Sequence, residues 1–312
     1  MPRMSAEAPL EPSQERLGFI LVFLASLTWS FGGTFERFVQ VDDSWTIVFW
    51  RSTWAAIFLI CFMLWRDGPR NMVALFANMG WPGIAVAVCF AFCSSSFVIA
   101  LSYTNVANVL LIQAGVPLFA ALIAWAVMGE RISAGTWIAI AAVICGVAIM
   151  VSGSFSGDVS PIGDGLALAI ALVFSIATVI TRRYAHVRMV PATALGTVIA
   201  AVFAATQASA LGVSGSDVYV LFGFGALNLG MGLAFFSTGA RLIPAAFAAL
   251  ICTLETILGP LWVWLIHAEL PSGRAMIGGA VVLLALLGHI SVEFKRLSRP
   301  ARPGVTGMPA PR

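Results

Sequence analysis

Glu255 is the residue best placed to do chemistry. It stands midway along the uncharged run between Arg241 and Glu269. A charge at the centre of a membrane helix costs about 3 kcal/mol even on insertion scales. The side chain must therefore face the protein interior, water or a partner, or hold a proton. Burial penalises an ionised carboxylate, which suits the group to proton coupling. The bland alternative is a hydrogen bond that locks its helix to a neighbour. Arg51, about two turns into the run from Asp43 to Arg66, could bind a carboxylate, pair with an acid, or snorkel to the interface. Gln113 and Asn228 are amides within apolar runs. An unpaired amide in hydrocarbon is costly, so both should meet protein or cavity, by interhelical bonding or substrate contact. Ser94, Ser95 and Ser96 read the same way, with Ser95 as the candidate. Trp29 and Tyr103 are candidate aromatic walls, whereas Trp45, Trp65 and Trp81 fit an interfacial belt. Pro117 and Pro260 each remove a backbone hydrogen bond and are candidate kinks.

Metal, cofactor and nucleotide chemistry have no support. The five Cys have no metal spacing. Cys89 and Cys93, one turn apart, read as packing residues. The three His are scattered, at 186, 267 and 289. There is no HExxH and no GxxxxGK[ST] loop. Gly223, Gly225, Gly230 and Gly232 share one apolar span and read as close helix packing.

These residues must be positioned by membrane helices. The chain has 312 residues, of which 60% are hydrophobic and only 10% charged. Soluble proteins carry roughly 25% charged residues, so a soluble domain and a disordered chain are both excluded. The net charge of +3 gives no reason to expect nucleic acid. A spanning helix needs about 20 apolar residues. Leu17 to Phe35 makes the first, and Asp43 to Arg66 bounds the second. The uncharged run from Arg70 to Glu130 is long enough for two, with a break near Thr104-Asn105. The later charges bound helices 5 to 10. The expected fold is all-α integral membrane, with ten transmembrane helices. Residues 1–16 and 294–312 are polar tails, the second expected to be disordered.

Orientation follows the positive-inside rule. With the N-terminus inside, 14 of the 17 Lys and Arg fall inside, only Arg37 and Arg274 fall outside, and Arg51 lies within the second helix. Both termini are then cytoplasmic. All basic residues but Lys295 are Arg, a composition that hints at a GC-rich bacterial genome and hence a bacterial inner membrane.

The chain repeats itself. A shift of about 139 residues aligns Trp125 with Trp264, Glu130 with Glu269 and Ser133 with Ser272. A slightly larger shift aligns Trp29-Ser30 with Phe174-Ser175 and Arg37 with Arg182. Residues 17–153 and 163–293 form two five-helix repeats. An odd helix number inserts the second repeat upside down. Inverted repeats are characteristic of secondary transporters, with the site near the midplane.

Several stretches carry a family resemblance. They are Leu101 to Ser133, Arg241 to Ser272, the endings Gly129-Glu130 and Ala268-Glu269, Phe49 to Arg51, and Thr181 to Arg183. Together they resemble the EamA-type proteins of the drug/metabolite transporter superfamily, over about residues 17–293. The resemblance implies a ten-helix carrier whose helices 1, 3, 4, 6, 8 and 9 surround a cavity, with helices 5 and 10 peripheral. It departs at Glu255, which is followed by Thr256 where a Glu-Pro pair is usual, with Pro260 later. The implied function is secondary active transport of a small amino acid-like or amphipathic metabolite, as exporter, with import or exchange as alternatives. The partners are a small-molecule substrate and the lipid bilayer, in a monomer or homodimer. A membrane-embedded enzyme would need a nucleophile–base pair or metal ligands at one depth, and a channel would need charge rings or a filter. Neither pattern is visible.

Overall fold

The computed structural model describes residues 12–129, 133–155, 160–184, 187–240, 242–243 and 245–297. Glu130, Arg131, Asp158, His186, Arg241 and most of both tails lie outside the described residues, as does the Arg182 side chain. Among the described residues there is no strand. Eight helical segments are long and apolar enough to cross a membrane, and Leu254–His267 and Gly273–His289 are shorter apolar helices.

The helices in order are α1 (Pro12–Ser30), α2 (Gly32–Phe38), α3 (Ser44–Asn78), α4 (Gly80–Leu101), α5 (Val106–Gln113), α6 (Val116–Met128), α7 (Ala134–Phe155), α8 (Pro161–Arg183), α9 (Val190–Gln207), α10 (Gly215–Phe222), α11 (Gly232–Gly239), α12 (Ala245–His267) and α13 (Gly273–Leu297). A π-helical segment, Gly223–Met231, joins α10 to α11. The break near Thr104-Asn105 falls between α4 and α5, where the Asn105 side chain caps α5 by accepting from the Asn108 amide.

The uncharged run after Arg70 is divided differently from the sequence reading. Its first residues continue α3 beyond a break at Gly68, which has φ +75° and precedes Pro69. Thirty-five helical residues would span about 52 Å, against a hydrocarbon core of about 30 Å. The left-handed glycine turns the chain before that length is reached. Exposed Trp65 and Trp81 flank the short segment that follows.

Packing relates the two halves of the chain. α7 packs on α13 and α3 on α9. The α3 contact with the π segment is matched by α4 with α9, and α1 with α11 by α8 with α4. The α1–α12 contact is matched by α8 with α6. Close approaches repeat in the same register. A Cβ on Gly163 would lie 2.7 Å from Thr104, and one on Gly18 2.7 Å from Ile243. Gly18 and Gly163 correspond under the larger shift of the sequence repeat, and Thr104 and Ile243 under the smaller. In the α7–α13 crossing, Gly146 and Gly278 each face the other's carbonyl oxygen.

Candidate functional site

Three helical runs are interrupted deep in the bundle. The first separates α1 from α2 at Phe31, and the second separates α5 from α6 at Ala114-Gly115. Pro117 occupies the first turn of α6, where its missing N–H costs nothing. The third is the π segment. Pro260 instead lies within α12, which runs as one helix.

The π segment is held by its glycines and by Asn228. Gly225 lies against the Arg51 carbonyl and Trp54, Gly223 against Phe35, Gly230 against Phe58, and Gly232 against the Trp29 indole. This is the close packing expected of small residues. Asn228 is 2% exposed, and its amide donates to the Thr28 carbonyl at 2.6 Å and the Trp29 carbonyl at 3.3 Å. It thus satisfies carbonyls beside the interruption at Phe31. On the other side of that interruption, the Trp262 indole donates to Ser30 Oγ at 3.0 Å and stacks on Phe31.

Arg51 does not snorkel. It is 6% exposed. Its guanidinium donates to Ser94 Oγ at 3.0 Å and the Ser94 carbonyl at 3.2 Å. The Phe224 and Phe97 ring centroids lie 4.5 and 5.5 Å from its Cζ, within cation–π range. Its Nε is buried with no hydrogen-bond partner. Phe97 also borders Gly32, as does Asn228. Four elements therefore meet here: α3, α4, the π segment and the start of α2.

Glu255 is half-buried on α12. One turn later, Gly259 lies against Leu110 and the Ser30 carbonyl, so this face of α12 looks onto α1 and α5. Arg51 is the charged group whose field reaches Glu255. Among the described residues no ion pair joins the two. Gln113 ends α5 on the side that carries Leu110, and its Nε2 is buried and unpartnered. Trp29 packs on Phe236 with centroids 5.4 Å apart.

The remaining candidates sit apart. Ser95 is buried beside Ser94, and it is Ser94 that holds Arg51. Tyr103 lies in the turn between α4 and α5, 47% exposed, away from the cluster. The sequence reads Ser94 together with Ser95 and Ser96, but nothing in it marks Ser94 as the contact, and Phe97, Phe224 and Ser30 are not singled out as site residues. A Ser or Phe in an apolar span carries no signal until its neighbour is known.

A second polar cluster closes the bundle end that carries Arg37. Arg37 Nε donates to Glu269 at 2.8 Å, and its Nη1 donates to Glu36 at 2.9 Å and the Leu101 carbonyl at 3.1 Å. Glu269 also accepts from the Val106 amide. Nearby, buried Asp164 accepts from Asn108 Nδ2 at 2.9 Å. The structure makes Arg37 an interhelical tie. At the opposite end Asp67 accepts from Arg66 and Arg188.

Two surface grooves are separate from the cluster. One of about 530 Å³ runs between α3 and α9, lined by Phe49, Ile57 and Val202. One of about 290 Å³ lies between α7 and α13 near His289. Neither includes Arg51 or Glu255.

Comparison with known proteins agrees with this architecture. A solved structure titled "Crystal structure of protein" superposes with a TM-score of 0.63 at 20% identity, covering 90% of this chain and 99% of the other. That likeness concerns the fold alone. A search of curated proteins found no match. The model of the EamA-like transporter family matches twice, over residues 16–152 and 161–290. Two matches in tandem span both halves of the repeat, and the chain belongs to the EamA-like transporter family.

Proposed function

We propose that the chain is a secondary active transporter that exports a small metabolite across a bacterial inner membrane by alternating access. Ten helices in two inverted five-helix repeats carry the motion, with both termini cytoplasmic. The observation that carries this reading is a buried Arg51 whose Nε lacks a partner, in a bundle that also carries a half-buried Glu255 within α12 and three interrupted helical runs. Unsatisfied charge and broken helices at mid-bundle are the features of a carrier's binding site.

The repeat register supports alternation. Arg37 and Glu269 tie one end shut. Their sequence counterparts are Arg182 and Glu130, at the other end of an inverted pair. A tie that forms at one end while the other opens is what a rocking carrier needs, and the sequence register supplies one Arg and one Glu for each end. In this orientation the tied end is the outer one, and Glu255 is the proton-coupling group.

The test is efflux and uptake in everted vesicles with an imposed or collapsed pH gradient. Amino acids, organic acids and dyes are compared on wild type and Glu255→Gln. The expected result is gradient-driven movement in wild type that loses its gradient dependence in the variant. Unchanged coupling in Glu255→Gln would remove Glu255 from the mechanism.

A further inference from the structure

We infer that the substrate carries a carboxylate and that Arg51 is its receptor; this rests on the carrier reading above. A buried guanidinium is expensive unless charge or hydrogen bonds compensate it. Here compensation is partial. Ser94 supplies two acceptors to one nitrogen. Nε remains buried and unpartnered. Glu255, the acid whose field reaches the guanidinium, forms no ion pair with it. Two aromatic rings, Phe97 and Phe224, lie within cation–π range of the guanidinium but supply no acceptor for its in-plane donors.

What is left is a directional donor edge in a low-dielectric setting. Planar forks of this kind match carboxylates in a bidentate geometry. A protonated amine has no acceptor for a charged guanidinium, and a neutral amide offers only a weaker one. The wall beside the site, at Phe97, Gly32 and Asn228, adds no acid. A Cβ on Gly32 would already be in ordinary contact with Asn228 at 3.5 Å and Phe97 at 3.8 Å.

Glu255 supplies a second signature. A simple acid seated at Arg51 shares the site with a carboxylate of like charge. Neutralising Glu255 therefore strengthens binding of monocarboxylates, whereas removal of a purely structural residue would not.

The experiment measures binding by intrinsic tryptophan fluorescence of the full chain in lipid nanodiscs. The probes are two matched sets: phenylacetate, phenylacetamide and phenethylamine; and isovalerate, isovaleramide and isoamylamine. The expected result is that an acid binds better than its amide and amine. Arg51→Gln weakens the acid by roughly 10- to 150-fold, the range for a charge-assisted hydrogen bond. Arg51→Lys falls between, and Glu255→Gln tightens the acid. Ser94→Ala, which loosens the anchor and keeps the fork, lowers melting temperature more than affinity. Binding of amides or amines as tight as the acids, or no binding of either acid, overturns the inference. The wild-type ranking stands even where Arg51→Gln fails to fold. Counterflow of the same compounds in proteoliposomes separates the two readings. Movement of amines without acids leaves the carrier and removes the carboxylate; acid binding without movement of any compound does the reverse.

Discussion

Arg37 and Glu269 are 232 residues apart in sequence, and their side chains meet at 2.8 Å. The contact ties α2 to the loop between α12 and α13. Both side chains are about a quarter exposed, so the bond is neither a free surface pair nor a dry one. Glu269→Gln should cost about 1.5–3 kcal/mol, the worth of a hydrogen bond to a charged group. Arg37→Glu sets three acids together and should cost more. The double exchange Arg37→Glu with Glu269→Arg should recover part of the loss. Melting of the solubilised protein reads all three, and non-additivity of the double variant is the deciding quantity.

The α7–α13 crossing should tolerate no side chain at its centre. Gly146 and Gly278 each approach the other's carbonyl, so Gly146→Val forces the helices apart. Overpacking of this kind costs about 1–3 kcal/mol or more. Gly135→Ala, on the same helix, where a Cβ would meet only Ser133 Oγ at an ordinary 3.8 Å, is the control and should leave the melting temperature within about a degree.

Asn228→Leu should uncouple the π segment from α1. The change removes donors to the Thr28 and Trp29 carbonyls and leaves both part-buried acceptors short. About 1–3 kcal/mol is expected, with faster amide exchange in 223–239 than elsewhere. Uniform exchange across the chain would mean that the bonds do not hold this segment.

Asp43 links the start of α3 to the loop after α9. It caps α3 and accepts from the Ser209 amide and hydroxyl. Partial burial works against its charge, but these hydrogen bonds prevail and hold the carboxyl below its ordinary range. With a depressed folded value, its stabilisation is present above the unfolded carboxylate pKa and is lost as pH falls through the folded one. Asp43→Ala should cost about 1 kcal/mol near neutral pH, as a lost cap. The difference from wild type should shrink on acidification. Melting curves across the acid range test this, and a constant gap would mean that the charge is irrelevant.

Sequence alone determined the class of solvent, the helical runs and the two-fold repeat. Apolar runs of spanning length leave few alternatives, because backbone groups in hydrocarbon must bond within their own segment. The repeat was legible because Trp, Glu and Arg are rare enough in this composition to mark a register. It also singled out Glu255, Arg51 and Asn228, since polar groups in such runs are costly wherever they lie.

Only the tertiary structure decided which of these meet. Snorkelling and burial were both open to Arg51, and the choice turned on Ser94, Phe97 and Phe224 from other helices. The π segment was invisible because its residues are ordinary helix formers and glycines. Its glycines let Phe35, Arg51, Trp54 and Phe58 approach closely, and those neighbours come from other helices. Nothing near Arg37 in sequence points to its partner, which is 232 residues away. Local sequence fixes how a segment spans the membrane; which face it shows to which neighbour is a property of the packed bundle.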